Sequence, residues 1–130
     1  MPKSKTGHKE QELDIKGEKG NLFRIILRQS NLNIMSFSVI LVYLDPKSNI
    51  IFRLRRYNGK SHLHSNVIEK HEAFYDFHIH YATERYQKSG YREDSYAEPT
   101  NRYSDLHGAI QCLIEDCAFL LPPGYTRSLF

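Results

Sequence analysis

Five of the seven histidines, His62, His64, His71, His78 and His80, fall within nineteen residues. Two short patterns stand out. Asn58-Gly59-Lys60-Ser61-His62-Leu63-His64 is a turn leading into H-x-H, and His78-Ile79-His80 is a second H-x-H in β-rich text. In a strand, side chains at i and i+2 share a face, about 6.5–7 Å apart, so His78 and His80 can flank one small group. Imidazole, with an ordinary pKa of about 6.5, suits two chemistries there. It can act as acid and base on either side of a phosphate. It can also hold a metal ion, with His62, His64 or His71 as third ligand and Asp76 as ligand or orienting partner. The plain alternative is a solvated strand face. The metal-free site needs a cation. Arg53 and Arg55 supply one, since guanidinium binds phosphate bidentately, with Arg24 and Arg28 as further phosphate contacts. His78 and His80 as acid and base, completed by His62 and Arg55, resemble metal-independent RNA cleavage by 2′-hydroxyl attack. Tyr57, Tyr81, Tyr86 and Tyr91 are candidates to stack on bases.

These residues need a sheet to position them. Phe23, Ile25 and Leu27 alternate with Arg24, Ile26 and Arg28, the period of a strand. Ile34 to Leu44 is a long β-rich run, Asp45-Pro46-Lys47-Ser48-Asn49 a turn, Ile50 to Tyr57 a third strand closed by Asn58-Gly59, and Ala73 to Thr83 a fourth. Residues 84–102 read as a polar loop with a short strand near Tyr96. Ser104 offers an N-cap, Asp105 suits the first turn, and Leu106, Ile110, Leu113, Ile114, Cys117 and Leu121 form one helical stripe ended by Pro122-Pro123-Gly124. The expected fold is α+β: an antiparallel meander of four to six strands with one C-terminal helix packed on one face.

The helix stripe requires an apolar sheet face, which Phe23, Ile25, Leu27, Phe52, Leu54, Phe77 and Ile79 provide. By alternation, the other face carries Arg24, Arg28, Ser36, Ser38, Arg53, Arg55, Tyr57, Asp76, His78 and His80. A one-residue slip would reverse any of these assignments.

With 130 residues the chain is one domain, expected over 19–122 between a flexible tail at 1–18 and another at 123–130. Leu13 and Ile15 suggest a short edge strand in the first. An apolar fraction of 40% excludes a wholly disordered chain, and two cysteines are too few for a disulfide scaffold. Cys112 and Cys117 cannot pair within one helix. No apolar run reaches the twenty or so residues of a membrane span, and Met1 to Gly20 lacks a secretory signal. The expectation is a cytoplasmic protein with no membrane partner. The net charge of +3 hides segregation, since residues 21–60 carry +6 and residues 61–130 carry −4. Either a basic surface attracts phosphate, or the two halves neutralise each other in the fold. There is no P-loop, GxGxxG, GxSxG or Cys-His signature, and no cofactor is expected.

The order Phe52-Arg53-Leu54-Arg55-Arg56-Tyr57, Asn58-Gly59-x-x-His62, Phe77-His78-Ile79-His80-Tyr81, a tyrosine-containing polar loop and a helix with Asp116-Cys117 resembles a group of small uncharacterised bacterial proteins. That group is distantly similar to TumE-type toxins of toxin–antitoxin pairs. The resemblance covers roughly residues 22–120 and points to Arg53 or Arg55, His62, His78 and His80. The group usually continues after its first histidine with an Asn-Pro-type turn. Here His64-Ser65-Asn66 follows without proline, so the resemblance does not extend to His64 and His71. It implies a mobile-element or toxin-like protein with a cognate antitoxin as partner, while RNA as substrate rests on the paired histidines and the arginines. Rival readings are a non-enzymatic binding module for protein or nucleic acid and a metal-binding protein using His62, His78 and His80. Exposed strand edges leave room for a homodimer.

Overall fold

The computed structural model describes residues 3–5, 7–17, 19–48, 50–61, 64–69, 73 and 75–117. Strands β1 (Lys3–Lys5), β2 (His8–Lys16), β3 (Leu22–Ser30), β4 (Phe37–Leu44), β5 (Ile51–Asn58), β6 (His78–Tyr81) and β7 (Tyr96–Pro99) form one antiparallel meander in chain order. A one-turn helix α1 (Glu84–Lys88) lies between β6 and β7, and α2 (Leu106–Cys117) packs across β4 and β5. The fold is α+β, with the C-terminal helix on one sheet face. The six strands from His8 to Pro99 form the body of the meander, and β1 extends its edge. No described helix is long and apolar enough to cross a membrane.

The domain begins earlier than the sequence suggests. Residues 8–16 are not a tail but a nine-residue strand paired with β3 at every position. Leu13 and Ile15 face the helix side opposite Ile25 and Phe23. Glu10 and Asp14 face the other way and pair with Arg28 and Arg24. The mixed polarity of this stretch is thus alternation, legible only once its partner is known. Residues 123–130 lie outside the described residues.

The core sits between sheet and α2. Ile25, Leu27, Val39, Leu41, Tyr57 and Ile79 from the strands meet Leu106, Ala109, Ile110 and Leu113 from the helix. Strand β4 is buried on both faces (Val39, Ile40, Leu41 and Val42), as its unbroken apolar run requires. Its observed start at Phe37 leaves Ile34 and Met35 exposed in the β3–β4 loop. Asp105, rather than Ser104, caps α2, accepting the Gly108 N–H at 2.7 Å. Cys112 and Cys117 are free thiols.

One irregularity decides which residues reach which face. Leu41 pairs with Arg55, yet Val42 pairs with Arg53, so Leu54 is an extra residue in β5. Such a bulge reverses the alternation beyond it. Leu54 and Arg55 both turn toward the helix side, and Tyr57 follows. Arg53 stays on the opposite face. The assignment of Arg55 and Tyr57 to the histidine face is therefore corrected, and it fails through the one-residue slip that β-strands are sensitive to.

Candidate metal centre

The face opposite α2 is organised in rows across the sheet. Glu10, Arg28, Ser38, Asn58, His78 and Pro99 are successive partners in one row. Glu12, Ile26, Ile40, Arg56, His80 and Ala97 make the next. His78 and His80 thus project from β6 on one face, as their spacing requires. Both are buried, at 0% and 4% exposure.

The third imidazole is His64, in the segment between β5 and β6. The rings of His64 and His78 are stacked with centroids 5.5 Å apart. His80 stands edge-on to both, 4.9 Å from His64 and 5.0 Å from His78. One ring nitrogen from each of the three lies within 4.8 Å of the others. His62 and His71, the other candidates for this place, lie outside the described residues.

His64 is held from two directions. The Asn66 side chain, itself buried, donates to the Ala97 carbonyl at 2.6 Å and accepts the Ala97 N–H at 2.8 Å, pairing with the edge strand as a backbone would. Behind it, the buried Tyr86 of α1 donates its hydroxyl to Glu69 at 2.5 Å and accepts the Ile68 N–H at 3.2 Å. Arg85 adds an ion pair to Glu69. Thr83 starts α1 by accepting the Tyr86 N–H. The expected polar loop 84–102 therefore contains the helix and strand that clamp the third histidine.

The hydrogen bonds also choose tautomers. A carbonyl oxygen only accepts, so His78 Nδ1–H donates to the Asp76 carbonyl and His80 Nδ1–H to the Asp94 carbonyl, each at 2.8 Å. The Asn66 oxygen is identified by the Ala97 N–H it accepts, so His64 Nε2–H donates to it at 3.0 Å. Each ring then carries its lone pair on the other nitrogen: Nε2 of His78, Nε2 of His80 and Nδ1 of His64. Metal-ligating histidines are oriented in this way by partners on the far ring nitrogen. Burial, with Arg56 and the two other imidazoles adding to it, pushes His80 down to about 2. It remains the neutral base a metal requires and is a poor proton donor near neutral pH.

The same geometry removes much of the expected phosphate clamp. Arg24 pairs with Asp14 at 2.7 Å and Arg28 with Glu10 at 2.6 Å. Arg53 lies 3.2 Å from Glu93 and 3.4 Å from Asp94, and Arg56 lies 3.3 Å from Asp94. Arg55 is on the helix side, beside Tyr57 and Asp116. The charge halves seen in sequence largely meet and neutralise each other. Asp94, 1% exposed, takes no hydrogen bond on either carboxylate oxygen among the described residues, and its charge is met by Arg53 and Arg56 alone. Burial pushes Arg56 below its usual value, and Arg53, Arg92 and Arg28 lower it further against the opposing Asp94.

No protein-family model, no curated protein and no solved structure matches the chain. The site has to be read from its own geometry. Sequence reasoning missed Asn66 and Asp94 and gave Asn58 and Arg56, though part of the motifs, no role at the site. Tyr57 and Tyr86, expected to stack on bases, are buried, and Tyr86 instead holds Glu69 and Ile68.

Proposed function

We propose that this protein binds a single divalent transition-metal ion, zinc foremost, through His64 Nδ1, His78 Nε2 and His80 Nε2. The observation that carries the reading is a set of three converging imidazoles, His78 and His80 buried and His64 half-buried, each with one ring nitrogen hydrogen-bonded to an oxygen of the fold. Three neutral nitrogens suit zinc, cobalt, nickel or copper and do not suit calcium or magnesium. Ligands about 2.0–2.1 Å from zinc stand about 3.3 Å apart in a tetrahedron. Closing from within 4.8 Å asks only small ring movements. Three protein ligands leave a fourth position for water or a substrate oxygen, the arrangement of catalytic rather than structural zinc. A metal held there would acidify a bound water, so hydrolysis or hydration is the reaction class the three histidines would serve.

The test is equilibrium dialysis against Zn(II) and Co(II), with elemental analysis and the visible spectrum of the cobalt form. One equivalent, lost in His78→Ala and His80→Ala variants that keep the wild-type far-UV spectrum, is the expected result. A folded wild-type protein that retains no metal at micromolar concentration overturns the reading.

A second reading, metal-independent RNA cleavage by a toxin-like protein held by an antitoxin, keeps one observation in its favour. Arg53 and Arg56 share the face of His78 and His80. RNA cleaved by chelator-treated protein, and not by the histidine variants, would return the assignment to it.

A further inference from the structure

A cleft of about 380 Å³ opens on the histidine face, over the part of the first row that runs from Arg28 to Asn58, beside His78. Its floor is Arg28, Ser38 and Asn58, and its walls include Ser30, Ser36 and Ser61. Among the described residues, no carboxylate lines it. Glu10 meets the Arg28 guanidinium at Nε, and no other side-chain hydrogen bond to Arg28 is present among the described residues. The lining thus offers one forked cation, the His8 imidazole, four serine hydroxyls and the amides of Gln29 and Asn58. That chemistry fits an oxyanion, phosphate or carboxylate, on a small polar molecule.

The cleft shape depends on Gly59. A Cβ there would lie 1.9 Å from the Met35 carbonyl oxygen, because Gly59 N–H and Lys60 N–H bond back to the Phe37 and Met35 carbonyls and draw the β3–β4 loop against the end of β5. The glycine of Asn58-Gly59 is needed for this close approach, and it is not among the glycines with positive φ.

Asn58 connects cleft and histidines. Its oxygen accepts from Ser38 at 2.9 Å, and its Nδ2 lies 3.4 Å from His78 Nε2, the nitrogen assigned above to the metal. Nε2 cannot both ligate and accept, so a metal ion on His78 releases the Asn58 amide toward the cleft.

We propose that this cleft is an oxyanion site anchored by Arg28, and that metal binding strengthens it by handing the Asn58 amide from His78 to the anion. The coupling rests on the metal reading, whereas the Arg28 anchor does not. Coupling of this kind is reciprocal, so the anion tightens the metal by the same factor.

The experiment is calorimetric titration of the full chain, metal-stripped and cobalt-loaded, with inorganic phosphate in one arm and succinate in the other. Loading is checked separately by absorbance. The expected result is saturable binding in at least one arm, weakened about tenfold or more in Arg28→Gln. It is also about fivefold or more tighter in the cobalt-loaded protein, and that ratio falls to one in Asn58→Ala. Ser36→Phe, which fills the cleft from the loop and leaves every ion pair intact, should abolish binding if Arg28→Gln fails to fold. No binding in either arm, or binding indifferent to Arg28→Gln and Ser36→Phe, overturns the anion site. Equal affinity with and without cobalt in a protein that does load cobalt overturns the coupling alone. A protein that loads no cobalt but binds anion through Arg28 overturns the metal reading and leaves the anchor standing.

Discussion

The two faces of the sheet use polar groups in opposite ways. On the helix face, Tyr57 donates to Asp116 at 2.5 Å, Arg102 grips the same carboxylate with two bonds of 2.8 and 2.9 Å, and Arg55 donates to the Tyr57 hydroxyl while lying over the Tyr81 ring. Tyr103 donates to the Asn58 and His78 carbonyls, at 2.8 and 2.9 Å. Most of this polar capacity is spent within the fold, tying α2 and its approach to β5 and β6. On the histidine face, each imidazole has one ring nitrogen hydrogen-bonded to an oxygen of the fold, and one ring nitrogen from each of the three lies within 4.8 Å of the others. One face uses polarity to close the structure, and the other gathers three imidazoles at one place.

The comparison can be broken most directly by Asp116→Asn. This change leaves Arg55, Arg102 and the Tyr57 hydroxyl without their shared anion and, because both arginines are a third or more exposed, should cost about 1 kcal/mol in urea denaturation. It should leave metal affinity within twofold. A large loss of metal affinity would show that the faces are not separate. The mirror experiment is Asn66→Ala, which frees His64 to rotate. Metal affinity should fall roughly 10–100-fold, measured by competition with a chromophoric chelator, while the sheet-to-helix packing is unchanged.

Acid should also separate the faces. In the metal-free protein, His80 is held down to about 2 by burial and stays neutral in the fold, whereas the unfolded chain protonates it below about 6.5. Its contribution is full above that value and is lost as pH falls, on the order of 2 kcal/mol between pH 6 and pH 4. Asp116, held below its usual value chiefly by Arg102, contributes stability that stays in place until the pH drops through the carboxylate range. Urea midpoints should therefore begin to fall near pH 6 in the wild type. In His80→Gln this early part should be missing, and only the decline below about pH 4 should remain. The smallest effect is expected for Arg24→Gln, which removes the half-exposed pairs to Asp14 and Glu12 and should change stability by less than about 0.5 kcal/mol. A larger loss would mean that the ladder on β2 and β3 supports the site and is not merely solvated.

Local patterns in the sequence carry far, but unevenly. The strands containing Ile25, Val39, Phe52 and Ile79 and the stripe of α2 follow from alternation and helical spacing, since both are properties of neighbouring residues. Strand β2 was obscured because its alternating charges resemble a tail until Arg24 and Arg28 are set opposite them. Of the candidate site residues, His78 and His80 share a face for a local reason. Arg53 reaches that face too, but Arg55 does not, because the extra residue at Leu54 is defined only by pairing with β4. His64 gained its place through Asn66, Tyr86 and Ala97, contacts that span up to 31 residues.

By itself, the sequence determined that two histidines would stand side by side on one sheet face, because strand geometry repeats every two residues whatever surrounds it. Tertiary structure alone decided that a third imidazole joins them and that most of the arginines around them are matched by carboxylates. Those outcomes depend on register, bulge and loop closure, and a shift of one residue in pairing reverses them.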